Sequence, residues 1–237
     1  RNFVFSTLRR VAAPLQRSSL DYAGMRTTHA RQVQSATRSG DTGEAEAMSS
    51  CGTGTVVVGF DALSLQYLDA FDLPNFDALR ERGVTTTLRS TFPPWTGSAW
   101  PSMYTGLDPD HHGVYSFFNF TDRYPDEAEL ICRNDVHAPA LWNYLSELGR
   151  SSVVLNVPVT HPAEPIDGVL VPGYLAPENA DGHPEGIREE LGEAIGEEYR
   201  IYADHAIEDG PTIESYEALI DLRRRAAEYL LESRDPA

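Results

Sequence analysis

Short β-branched runs alternate with helix-patterned segments along residues 51–237, and this alternation restricts the possible folds more than any other feature of the chain. "TVVVGFDA" (55–62) is a continuous apolar run of the kind that forms a strand buried on both faces of a parallel sheet. "LPNFDALRERGV" (73–84) then places Pro74 near a helix start, Phe76 and Leu79 three apart, and Gly83 at the C-terminal cap position. "VTTTLRS" (84–90) is β-branched again. "APALWNYLSELGR" (138–150) repeats the proline-in, glycine-out grammar with Leu141, Leu145 and Leu148 on one stripe, and "SSVVLNVPVT" (151–160) returns to a buried strand. A strand-like "GVLVPGYL" (168–175) sits inside a proline- and glycine-rich stretch, and 182–210 is acidic and weakly helical. A last helix, "TIESYEALIDLRRRAAEYLLESR", puts Ile213, Tyr216, Ile220, Ala227 and Leu230 near one face. The order implies an α/β fold, three layers of helix, mostly parallel central sheet and helix.

Residues 1–50 break the pattern. They hold seven arginines against four acids, whereas the rest of the chain has twelve against thirty-two, and they read as a basic, disordered lead rather than part of the fold. The 51–237 segment has no internal repeat and no linker that would divide it. All nineteen basic residues are arginine, and the formal net charge is -17. Such a charge repels phosphate-rich polymers, so nucleic-acid binding through a basic face is not expected, and dense carboxylates suit a salty cytoplasm where ions screen their repulsion. Cys51 and Cys132 are too few for a disulfide framework or a thiolate metal site. No apolar run approaches the ~18 residues of a spanning helix, and the arginine-rich start lacks the apolar core of a secretory signal. The expectation is a soluble cytoplasmic chain without a membrane partner.

In open α/β sheets, ligands gather beyond the carboxyl ends of the strands. Asp61 follows "VVVGF" at such an end, where a half-buried carboxylate binds a cation or caps the next helical turn. Thr96 follows the stiff Pro93-Pro94 pair and precedes a helix beginning near Gly97 or Ser98. A hydroxyl there faces the positive end of the helix and is either a nucleophile beside free backbone N–H groups or an ordinary N-cap. Thr91, Ser98 and Ser102 compete locally for the same role. His111 and His112 lie side by side before a glycine turn, which favours structural roles; His161 and the Asp204-His205 pair are further candidate ligands, the latter in a solvated loop. "CGTGT" precedes its strand, the reverse of a dinucleotide-binding fingerprint.

With Asp61 at a strand end and Thr96 before "WPSMYTGLDPDHHG", the sequence resembles the alkaline phosphatase superfamily, in its type I phosphodiesterase/nucleotide pyrophosphatase branch. Residues 138–177 are similar in order and composition to the next helix-strand-loop section of prokaryotic members, and the resemblance covers about 54–237. It implies an alkaline-phosphatase-like α/β domain that hydrolyses phosphodiester or phosphomonoester bonds of a small-molecule substrate with two divalent ions, zinc or manganese. Asp61 would ligate one ion; Thr96 would ligate the same ion, attack phosphorus and form a phosphothreonine.

Two departures accompany the resemblance. The family's phosphate-binding asparagine has no match after His112-Gly113: the count lands on Phe117, with Ser116 and Asn119 as neighbours. The family's later ligands, an Asp-x-x-x-His, an Asp-His and a further His, ordinarily follow a helix like the one ending near Ser233, so 1–237 reads as the front part of a longer enzyme with little turnover of its own. The alternatives are a truncated or degenerate non-catalytic member and a sulfatase or phosphomutase of the same superfamily. A sulfatase needs a cysteine or serine converted to formylglycine, and no cysteine lies near Thr96.

Overall fold

The computed structural model describes residues 2–3, 54–119, 122, 125–204 and 210–234. Apart from 2–3, the basic lead of 1–50 lies outside the described residues. The elements in chain order are β1 (Asn2–Phe3), α1 (Leu65–Ala70), α2 (Pro74–Arg82), β2 (Leu88–Arg89), α3 (Thr96–Thr105), α4 (Pro109–His112), a 3-10 turn (Arg133–Asp135), α5 (Leu141–Glu147), β3 (Ser152–Val157), β4 (Gly168–Pro172), α6 (Ile187–Ile195) and α7 (Ile213–Arg234).

β3 and β4 run parallel, with Val153 opposite Val169, Val154 opposite Leu170 and Leu155 opposite Val171. Alternate side chains of a strand point to opposite faces, and here both faces are buried. Val154 and Leu170 join a cluster with Trp100 and Tyr104 of α3, Trp142 of α5, Val114, Ile131 and Val136. Val153, Leu155, Val169 and Val171 pack instead against Ile187 and Leu191 of α6, Tyr199, and Leu222, Ala226 and Leu230 of α7. The arrangement of mixed helices and a parallel sheet is that of an α/β protein, as the alternation of segments implies.

Three sequence expectations need correction. The "TVVVGFDA" run joins no named strand, has only an isolated bridge at Val57 and ends in a turn at Asp61-Ala62, and Val56, Val57 and Val58 are 42%, 57% and 50% exposed instead of buried on both faces. β-branching favours the extended backbone, whereas burial needs neighbours, and β3 and β4 pair with each other and not with this run. "VTTTLRS" likewise contributes only the two exposed residues of β2, paired antiparallel with β1. The helix stripes are the third. In α5 the buried anchor is Trp142, while Leu141 and Leu148 are exposed; in α7 Leu230 of the expected face is buried, but it is joined by Leu219, Leu222 and Ala226, whereas Ile213, Tyr216 and Ile220 face outward. Both lines are helical in period, but these helices carry apolar residues on two sides, and the neighbouring sheet selects one.

The helix boundaries agree better. α2 begins at Pro74 and is capped at Gly83, and α3 ends at Gly106 in the left-handed conformation that glycine favours, with φ 72°. Among the described residues no helix is long and apolar enough to cross a membrane.

Candidate active site

α3 carries the site at its first turn. Pro93 and Pro94 lead into it, and Ser98, fully buried, ties the approach down by donating toward the Pro93 carbonyl at 2.8 Å, with Trp95 O at 3.2 Å. Thr91 donates to the same Pro93 oxygen at 2.9 Å and lies 3.3 Å from the Ser98 hydroxyl. Both hydroxyls are thus spent on holding the turn. Gly97 is buried beneath it, because a Cβ there would meet the Ser116 carbonyl oxygen at 2.5 Å. The first turn can seat on the Ser116 backbone only with glycine at this position.

Thr96 makes no capping bond; the cap position is Trp95, without a side-chain hydrogen bond. Its hydroxyl instead donates to Asp61 Oδ2 at 3.0 Å, joining two residues 35 positions apart. The backbone N–H groups of Thr96 and Gly97 precede the first intrahelical bonds, and among the described residues neither has a hydrogen-bond acceptor. A carboxylate, a hydroxyl and free amides therefore meet at the positive end of a ten-residue helix, a setting that favours negative charge. Asp61 is exposed, not half-buried as expected, and Thr96 is partly buried.

Trp100 is the residue that sequence reasoning misses. It lies one helical turn after Thr96, is 8% exposed, and donates its indole N–H to Asp61 Oδ1 at 3.3 Å. The four-residue spacing from Thr96 is the available signal, since i and i+4 share a helix face. Aromatic rings also run in series from the site: Trp95 stacks on Phe117 with centroids 6.3 Å apart, Phe117 meets Tyr174 edge-on at 6.4 Å, and Tyr174 meets Tyr202 at 6.3 Å.

The other candidates are placed elsewhere. His112 is completely buried, accepts the Val114 N–H at Nδ1 (3.2 Å) and lies 2.8 Å from Ser102 Oγ through Nε2. Since Nδ1 accepts, the ring proton of the neutral form sits on Nε2 and is donated to Ser102. Burial pushes the His112 pKa down, in keeping with a neutral ring that pins the middle of α3 to the α4 turn. His111 pairs with Asp110 on the surface at 3.0 Å. His161 Nδ1 is buried without a partner among the described residues, and burial lowers its pKa. Asp204 pairs with Arg200 at 3.5 Å, and His205 lies outside the described residues. Asn119 is engaged by Asp135 Oδ1 at 3.0 Å, and Ser116 is buried.

A hollow of about 690 Å³ lined by Arg133, His137, Asn143, Glu147 and Glu164 includes neither Asp61 nor Thr96. Each nitrogen of its guanidinium floor is engaged: Arg133 donates to Glu164 at 2.8 Å, Val136 O at 3.1 Å, and Ala138 O and Asn143 Oδ1 at 3.3 Å. For a divalent ion, the Asp61 carboxylate and Thr96 hydroxyl offer two adjacent hard oxygens. Among the described residues no three His, Cys, Asp or Glu side chains cluster as a metal site. The pair fits part of one ion's coordination, and the described residues do not make up a two-ion site.

An α/β domain that sets a hydroxyl and a carboxylate together at a helix N-terminus can present an oxygen nucleophile to an anionic group. The chain belongs to the type I phosphodiesterase/nucleotide pyrophosphatase family, whose model matches residues 55–230. No curated protein and no solved structure matches it.

Proposed function

We propose that the protein is a metal-dependent hydrolase of small phosphodiesters or phosphomonoesters, built on a three-layer alkaline-phosphatase-like domain, with Thr96 as its nucleophile. Family membership supports the reaction class. The observation that carries the residue assignment is the 3.0 Å bond between Thr96 Oγ1 and Asp61 Oδ2 at the free amides of the first turn of α3. Asp61 holds the hydroxyl proton at Oδ2 and orients the Thr96 oxygen, and the Thr96 and Gly97 amides supply donors for phosphoryl oxygens. In attack, the Thr96 proton passes to Asp61 Oδ2 and a Thr96 O–P bond forms as the P–O bond to the leaving alcohol breaks, the departing oxygen taking a proton from solvent; water then cleaves the phosphothreonine, releases the phosphate product and regenerates the hydroxyl. A divalent ion, zinc or manganese, held in part by Asp61 and Thr96, would lower the hydroxyl's proton affinity and offset charge on the phosphoryl group, and a second would offset charge on the leaving oxygen.

The test is hydrolysis of bis(p-nitrophenyl) phosphate in molar KCl with Mn²⁺, comparing the unaltered protein with Thr96→Ala. We expect a loss of about a thousandfold or more, the scale of removing a nucleophile, and a phosphothreonine trapped by acid quench only in the unaltered protein. Equal rates in the two proteins would remove Thr96 from the chemistry. A second reading, a non-catalytic family member, draws support from the lack of a three-residue ligand cluster among the described residues; it predicts no stoichiometric Mn²⁺ binding in molar KCl and no trapped phosphothreonine, which separates it from a chain with a competent nucleophile and little turnover.

A further inference from the structure

Asp61 stands on an exposed segment, yet its two carboxylate oxygens have different partners. Oδ2 accepts the Thr96 hydroxyl at 3.0 Å and Oδ1 accepts the Trp100 indole N–H at 3.3 Å. Both donors come from one face of α3, a turn apart. The indole also lies against the backbone of the Asp61 segment: a Cβ on Gly59 would collide with Trp100 Cη2 and fall 2.8 Å from Cζ3. Trp100 is 8% exposed and belongs to the cluster that includes Tyr104, Trp142, Val154 and Leu170. A rigid core side chain thus both supports the Asp61 segment and takes one of its carboxylate oxygens.

We propose that Trp100 is a positioning residue that docks the Asp61 segment onto α3 through Gly59 and engages Asp61 Oδ1, so that Oδ2 is the oxygen presented to Thr96 and to a bound cation. The functional part of this inference rests on Asp61 and Thr96 being the reactive pair. The consequence is that carboxylate orientation is set from the core, not by the exposed run that carries it. Gly59 is required because any larger residue pushes the indole off the backbone.

The experiment follows the indole N–H directly in ¹⁵N-labelled protein. The chain has three tryptophans, and Trp100→Phe identifies one resonance while keeping an aromatic ring in the core. Asp61→Ala should shift the Trp100 resonance and speed its exchange with solvent, while the Trp142 indole, bonded to Glu164 at 2.6 Å, stays unchanged. Trp100→Phe should weaken Mn²⁺ binding and lower kcat about tenfold, the lower end of the range for residues that orient metal ligands, with KM little changed. Gly59→Ala should reproduce both effects without altering Trp100 or Asp61. A Trp100 resonance indifferent to Asp61→Ala would overturn the proposal, as would unchanged Mn²⁺ affinity and kcat in both Trp100→Phe and Gly59→Ala. If Mn²⁺ leaves the unaltered protein untouched while the Asp61→Ala shift is seen, the metal reading of the pair falls and the docking of Asp61 by Trp100 stands.

Discussion

Val56–Val58 and Val153–Leu155 are nearly the same side chains, but the second group forms a strand and the first has only an isolated bridge at Val57, and their surroundings differ. The second group has a parallel partner in β4 and a helical layer on each face, so Val154 is 6% exposed. The first belongs to no named strand and to neither of those packed faces, and its valines are about half exposed. Local sequence favours the extended conformation, whereas burial is conferred by what the rest of the chain brings alongside. The proposed site sits where these two regimes meet: Thr96 and Trp100 belong to a helix anchored in the core, and Asp61 closes the exposed run.

The contrast predicts its largest effect in the buried region. Leu170, completely buried in β4, packs with Trp100 and Tyr104 of α3 and Trp142 of α5. Leu170→Ala should destabilise the protein by about 3 kcal/mol, the usual cost of lost burial plus a cavity, measured by urea unfolding. A cost under about 1 kcal/mol would mean that the β3–β4 core is loosely packed and that the two regions differ less than their exposures indicate.

Alkaline pH gives the next largest effect. Burial, opposed by Arg223, by the hydrogen bond with Asn156 and by Arg188, pushes the Tyr199 hydroxyl up to about 12 from an ordinary 10.0. Tyr199 is 1% exposed and donates to Asn156 Oδ1, linking the α6–α7 layer to β3. A raised folded pKa means that the native state retains a proton the unfolded chain releases, so the contribution is intact below pH 10 and is lost as pH rises toward 12. The full loss is on the order of 2–3 kcal/mol for such a shift. Unfolding free energies from pH 9 upward should therefore fall, with a shallower fall in Tyr199→Phe. Tyr104, whose pKa burial also raises, keeps that variant's slope from vanishing. Equal slopes in the two proteins would place Tyr199 in water rather than in the core.

The sequence reveals different parts of this structure for different reasons. β3 and β4 are legible because an apolar run between turn residues leaves few choices, and α2 because Pro74 and Gly83 mark its ends. Asp61 and Thr96 are legible as chemical types at suggestive places, but their meeting across 35 positions is a tertiary fact. Beyond Leu230, which is buried as its place on the expected face implies, the buried lines of α5 and α7 are not legible: with apolar residues on two sides, Leu141 and Ile220 have as strong a claim to the core as Trp142 and Leu222, and only the adjoining sheet decides. Trp100 is hidden for a related reason. A tryptophan in a helix reads as core filling, which it is, and its single N–H gives no sign of an acceptor 39 positions away.

The smallest effect is expected where the contrast is most open to being broken. Val57 is 57% exposed, so Val57→Thr, which keeps the branched shape and exchanges a methyl for a hydroxyl, should change stability by less than about 0.5 kcal/mol. Urea unfolding of the variant beside the unaltered protein, at two protein concentrations, checks this. A cost above about 1 kcal/mol would mean that the valines are covered in solution, because a hydroxyl is expensive only where it loses water without gaining a partner. A cost that appears only at the higher concentration would identify the cover as a second copy of the chain, since an exposed β-branched segment is a template for pairing. A near-zero cost at both leaves Asp61 on an open segment held from the α3 side, the condition under which Trp100 has the most to do.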